Sequence, residues 1–194
     1  MKNFDYGWRT QLLSYAKGKV LEISVGTGTN FNYYPLAVEV VATDTSVRMI
    51  EKAKTQAAEN GVKATFIVAP IEELPLEAQS FDTIVSTFSL CESDNPLWIL
   101  NQFNKWCKPN GTILLLEHGL SDNGIIRWLQ KKWAPQYYKK TGCHPDTDIK
   151  SILEHATPVI KKVEQRMGGT IYMIWASPSL TNTPERIYKL KNQL

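Results

Sequence analysis

Apolar positions along the chain alternate between two rhythms. KVLEIS (19–24), VEVVAT (38–43), KATFIVA (63–69), FDTIVSTF (81–88) and TILLLEH (112–118) are short runs of largely β-branched and aliphatic residues, which predicts strands. Between them the spacing becomes helical. Residues 5–17 place Trp8, Leu12, Leu13 and Tyr15-Ala16 on one face and meet Gly18 at the end. Residues 47–60 follow Ser46, an N-cap residue, and precede Gly61, a helix stop. Pro96 opens a helix carrying Leu97, Leu100, Phe103 and Trp106-Cys107. Pro109-Asn110-Gly111 then turns the chain into the fifth strand. Strands alternating with helices predict βαβ units and a mostly parallel sheet, hence an α/β fold. Residues 122–155 read as mainly helical, and two late strands near 158–166 and 170–176 are joined by Met167-Gly168-Gly169, a hairpin link that predicts antiparallel pairing.

Composition narrows the classes. A chain of 194 residues with 43% hydrophobic and 21% charged residues suits one packed domain. It has no apolar run of about 18 residues, and its first residues reach acidic and aromatic side chains at once, so neither a membrane span nor a secretory signal is expected; the expected location is the cytoplasm. Cys91, Cys107 and Cys143 are odd in number and lack CxxC spacing, which predicts reduced, buried thiols and no metal site. The formal net charge is +3, and residues 121–140 hold five basic side chains against Asp122 alone. Such local basicity does not describe a nucleic-acid binder.

The richest stretch is Glu22-Ile23-Ser24-Val25-Gly26-Thr27-Gly28, a glycine loop directly after the first strand, where open α/β sheets bind ligands. A dinucleotide fingerprint would need glycine where Phe31 stands, and the Tyr-x-x-x-Lys pair of a dehydrogenase occurs only as Tyr15 and Lys19, ahead of the loop. The loop instead resembles the first motif of class I S-adenosylmethionine (SAM)-dependent methyltransferases, E/D-x-G-x-G-x-G, with Glu22, Gly26 and Gly28 matched and Ser24 in place of the first glycine. Ser24 is expected to stay extended, its hydroxyl facing the loop. Asp44, 22 positions after Glu22, stands where a ribose-binding acid belongs. Glu72-Glu73-Leu74-Pro75, Phe81-Asp82-Thr83-Ile84-Val85 and Lys108-Pro109-Asn110-Gly111 resemble further motifs of the family in order, with Pro70 in the slot of the usual adenine-binding acid. A narrower likeness, to alkyl-thiol and soluble phospholipid methyltransferases, rests on Thr87-Phe88-Ser89-Leu90-Cys91, Leu116-Glu117-His118, Trp133-Ala134-Pro135 and Gly142-Cys143-His144.

The resemblance implies a Rossmann-like, doubly wound, mostly parallel seven-stranded sheet with an antiparallel C-terminal hairpin strand. It implies one domain over 1–178, with a helical insertion at about 122–155 capping the substrate, and a tail over 179–194. It implies SAM as methyl donor, leaving S-adenosylhomocysteine, with Glu22 and backbone near Thr87 and Phe88 at the methionine end. Ser24, Gly26 and Gly28 form the loop, Asp44 and Thr45 face the ribose, and Ile71 and Glu72 face the adenine. The acceptor is expected to be a small molecule or lipid. His118 and His144 are the candidates for proton removal, beside the plainer reading of structural histidines. Ile125, Trp128, Leu129 and Trp133 share one helical face, with Arg127 and Lys131 on another. That pattern suits a lid, a packed helix, or peripheral membrane contact through 125–140. A non-catalytic binding protein on the same fold is the alternative function. Nucleic-acid methylation lacks its Asn/Asp-Pro-Pro-Tyr/Phe signature, since Ser86-Thr87-Phe88-Ser89 stands there.

Overall fold

A computed structural model describes residues 6–180; Asp5 and most of the expected tail, residues 181–194, lie outside the described residues. Strands β1 (Lys19–Ile23), β2 (Glu39–Asp44), β3 (Lys63–Val68), β4 (Phe81–Thr87), β5 (Cys107–His118), β6 (Val159–Arg166) and β7 (Ile171–Ser177) form one sheet in the order β3-β2-β1-β4-β5-β7-β6. β1 to β5 pair in parallel, and β7 runs antiparallel to both β5 and β6. The order reverses beside β1, so the loops after β1 and β4 part there and leave a crevice at the carboxyl edge. The helices are α1 (Tyr6–Leu13), α2 (Val47–Glu59), α3 (Pro96–Trp106), α4 (Gly124–Thr141) and α5 (Ile149–His155).

Successive strand residues point to opposite faces, which splits the core in two. Val20, Val40, Ala42, Val85 and Leu114 meet Leu12, Ile50, Ala53 and Ala57 from α1 and α2. Leu21, Ile23, Ile84, Ile113 and Leu115 meet Leu100 and Phe103 of α3 and Ile149 and Leu153 of α5. The expected helix starts hold: the Ser46 hydroxyl accepts from the Met49 N–H, and the Asn95 side chain from the Trp98 N–H at 3.1 Å.

Two boundaries depart from the sequence pattern. α1 ends at Leu13 instead of Lys17, because the Thr83 hydroxyl takes both backbone groups of Lys17, accepting from its N–H at 3.0 Å and donating to its carbonyl at 2.9 Å. Those groups are thus drawn from the helix to β4. β5 begins at Cys107, with Phe81 opposite Cys107 and Thr83 opposite Thr112, so Lys108-Pro109-Asn110-Gly111 bulges out inside the strand. No helix among the described residues is long and apolar enough to cross a membrane.

Candidate functional site

The crevice is a cleft of two adjoining parts, about 440 Å³ and about 340 Å³, which share Ser24, Asp44 and Glu92. The larger is bounded by Arg9, Gly26, Thr87 and Phe88, the smaller by Thr45, Pro70, Ile71, Glu72 and Ile99. Asp44 thus stands at the junction. Its Oδ2 accepts from the Gly26 N–H and its Oδ1 from the Ser46 N–H, both at 2.9 Å. The carboxylate ties the glycine loop to the start of α2, and each oxygen keeps a further lone pair.

The two glycines do different work. Gly26 has φ +56° and room for a Cβ, whose nearest neighbour would be the Ser24 carbonyl oxygen at 4.0 Å. Gly28, at φ +81°, would bring a Cβ to 2.8 Å from Phe31 and 2.9 Å from the Ala53 backbone, so its bareness lets α2 close on the loop. Ser24 corrects an expectation: it is not extended but sits at φ +52°, the left-handed region. A serine stands where the resembled motif has its first glycine, and the left-handed turn costs it about 1 kcal/mol or more. Phe88, on the opposite wall, is also left-handed at φ +56°, held by its N–H donating to the Leu116 carbonyl at 2.7 Å.

Glu22, expected at the methionine end, lies deeper. It is 2% exposed and does not border the cleft. Its Oε1 accepts from Asn30 Nδ2 and its Oε2 from the Tyr34 hydroxyl, both at 2.8 Å. Burial pushes its carboxyl up to about 7, against the opposing pull of those two bonds and of Arg9. The group that faces the cleft is Arg9, whose Nη1 donates to Asn30 Oδ1 and, at 3.2 Å, to the Thr87 hydroxyl, and whose guanidinium lies 5.5 Å from the Phe88 ring centre. Glu22 therefore acts on the cleft through Asn30 and Arg9. Arg9 escaped the sequence reading because α1 carries no motif; it is the single charged residue of that helix, and this was its only signal. Glu92 was missed as well, and burial followed by the nearby Asp44 raises its carboxyl.

The structure separates the two candidate histidines. His144 is exposed and stacks on Tyr138, with ring centres 4.2 Å apart. His118 packs on Phe88, ring centres 4.6 Å apart, and burial lowers its pKa. Neither borders the cleft. Before His118, Glu117 is fully buried, accepting from the Ser86 hydroxyl at 2.6 Å and the Leu90 N–H at 3.2 Å. Burial pushes it up to about 8. It shapes the loop that carries Phe88. The expectation of three free thiols is corrected too: Cys91 and Cys143 form a disulfide, with Cα atoms 5.0 Å apart, and only Cys107 is free. Spacing could not show this, since the two residues are 52 positions apart.

Comparison with known proteins places this cleft in context. Residues 21–115 match the family described as "Methyltransferase domain". The chain is 29% identical to the mitochondrial methyltransferase OMS1 of Saccharomyces cerevisiae, over 87% of this chain and 40% of that one. It is 27% identical to a phosphatidylethanolamine N-methyltransferase of Cereibacter sphaeroides, over 76% of this chain and 72% of the relative. It is 33% identical to the human thiol S-methyltransferase TMT1B, over 67% and 55%. The chain thus spans about half the length of the first and third of these relatives. Among solved structures, the geranyl diphosphate C-methyltransferase of Streptomyces coelicolor, determined with S-adenosyl-L-homocysteine, shares the fold at TM-score 0.70 and 11% identity, over 89% of this chain and 79% of that one.

Proposed function

The chain belongs to the class I SAM-dependent methyltransferases, and from that membership we propose that it moves a methyl group from SAM to a small-molecule or lipid acceptor. The observation that carries the reading is the Asp44 carboxylate, oriented by two backbone N–H groups at the junction of the cleft. There it accepts from the ribose hydroxyls. Arg9 faces the methionine carboxylate. Ser24, Gly26 and Thr87 line that same end, beside Phe88. Ala69, Ile71 and Ile99 wall the adenine, with Thr45 and Glu72 at its rim. The fit rests on the chemistry of the set: a cation at one end, the Asp44 and Glu92 carboxylates at the centre, and an apolar recess at the other end.

The bound donor supplies an electrophilic methyl group on a sulfonium. The protein supplies alignment and exclusion of water, which can lower a barrier by roughly 7–11 kcal/mol in favourable cases. A neutral amine or a thiolate acceptor then needs little help from a base. The acceptor approaches past Phe88, whose strained backbone fixes the wall.

A second feature supports delivery from a lipid surface. α4 is inverted relative to a core helix. Towards the body it turns Ala134 and Gln130, whose side chain accepts from the Ser121 N–H and donates to the Gly119 and Pro145 carbonyls. Outwards it turns Ile125, Trp128 and Trp133, at 73%, 59% and 65% exposure. Lys131, Lys132, Lys139 and Lys140 are exposed on the same helix. Tryptophans beside lysines on an exposed apolar face suit the interface of an anionic membrane.

Calorimetry with SAM and S-adenosylhomocysteine tests the donor site, and a screen of thiols, amines, phenols and phosphatidylethanolamine with labelled SAM tests the acceptor. A folded sample with no affinity for either ligand overturns the reading. For α4, salt-sensitive co-sedimentation with anionic liposomes is expected, lost in Trp128→Ser/Trp133→Ser. Absence of binding at low salt, or a self-association that buries these tryptophans, removes the membrane reading.

A further inference from the structure

Three side chains that the methyl-transfer reading does not use converge beside the cleft. Cys91 follows β4, His118 ends β5, and Cys143 lies in the loop between α4 and α5. Their ligating atoms all fall within 4.8 Å of one another. His118 Nδ1 stands 3.5 Å from Cys91 Sγ and 3.2 Å from Cys143 Sγ. Both cysteines are buried. The backbone locks the two loops together, since the His144 N–H donates to the Cys91 carbonyl at 2.7 Å. This bond ties the two loops independently of the S–S bond.

We propose that reduction of the Cys91–Cys143 disulfide opens a zinc site, in which the two thiolates and His118 Nδ1 bind one Zn²⁺ and the fourth position stays open. The steps balance. A dithiol reductant supplies two electrons and two protons, breaks the S–S bond and itself becomes a disulfide. Zinc then displaces the two thiol protons. Zn–S bonds of about 2.3 Å and a Zn–N bond of about 2.0–2.1 Å in a tetrahedron set ligand separations of roughly 3.4–3.8 Å. The two nitrogen–sulfur separations already lie near that range, and only the sulfurs move apart once unbonded. Two thiolates and one imidazole form a set that suits zinc, and three protein ligands with an open fourth are the pattern of reactive rather than purely structural zinc. The open position accepts water or an exogenous thiolate, one aromatic ring away from the cleft, because Phe88 separates His118 from it. The thiolate extension rests on the proposed methyl transfer; the metal site does not.

The test uses the full chain, reduced with a phosphine, desalted without oxygen and titrated with Co²⁺ as a spectroscopic stand-in for zinc. The expected result is one ion per chain, a thiolate-to-cobalt charge-transfer band in the near ultraviolet, and loss of that band when Zn²⁺ is added. The disulfide form, Cys91→Ser and His118→Gln are expected to lack the band, with circular dichroism confirming that each variant is folded. Affinity for S-adenosylhomocysteine, measured on the same samples, keeps the donor reading separate. A reduced parent protein that develops no charge-transfer band overturns the site. So does a Cys91→Ser/Cys143→Ser variant that takes up the ion as the parent does. The comparison of reduced and oxidised parent protein needs no variant to fold.

Discussion

Replacing Asp44 by Asn distinguishes a ligand-binding carboxylate from a brace for α2. The native group accepts two charge-assisted backbone hydrogen bonds, from Gly26 and Ser46, each at 2.9 Å. Asparagine keeps one oxygen, so one of those N–H groups faces an amide donor. Losing one bond to a charged acceptor, at about 1.5–3 kcal/mol, and weakening the other predicts a stability loss of roughly 2–3 kcal/mol. For a domain of this size that lowers Tm by about 5–10 °C. If the same carboxylate also accepts from the ribose, affinity for S-adenosylhomocysteine falls by a further 2–3 kcal/mol or so, roughly 30- to 150-fold. Ser46→Ala serves as the comparison: it removes the cap bond to Met49 for about 1 kcal/mol and keeps the Asp44 carboxylate in the cleft, which Ser46 also borders. Calorimetry and thermal melts on both variants give the answer. Should Asp44→Asn melt early yet bind within about threefold of the parent, on the same free-energy scale, Asp44 is a brace and the donor placement is wrong.

Glu22 and Glu117, raised by burial to about 7 and about 8, hold protons more tightly folded than unfolded. Their contribution to stability is therefore complete below about pH 4.5 and is lost as pH climbs through 7 and 8, at about 1.4 kcal/mol per unit per group. Glu117→Gln is expected to exceed the parent in urea midpoint at pH 9 and to match it near pH 5; equal gains at both values would contradict a pH-dependent origin. In the glycine loop, Ser24→Gly relieves the φ +52° strain and should raise Tm by about 2–4 °C. Gly28→Ala, which drives a Cβ into Phe31 and Ala53, should lower stability by about 2–4 kcal/mol in the same melts; a neutral Gly28→Ala would mean that α2 does not close on the loop as described.

The order of strands and helices, the cap at Ser46, the helix start at Pro96 and the place of the glycine loop followed from the sequence alone. Each depends on near neighbours: side-chain period, a cap within three residues, a turn at glycine. Tertiary structure decided what depends on distant partners. Glu22 reads as a ligand-facing acid, yet Asn30 and Tyr34 fold back over it and leave Arg9 to face the cleft. Ser24 reads as extended, yet the loop's closure on Asp44 requires the left-handed turn. The apolar stripe of α4 reads the same whether it points in or out, and tertiary bonds orient it outwards, those of Gln130 to residues 119, 121 and 145 and that of Arg127 to Ser121. Cys91, His118 and Cys143 come from three elements, and no spacing within a chain reports a meeting that the sheet order and the cap bring about.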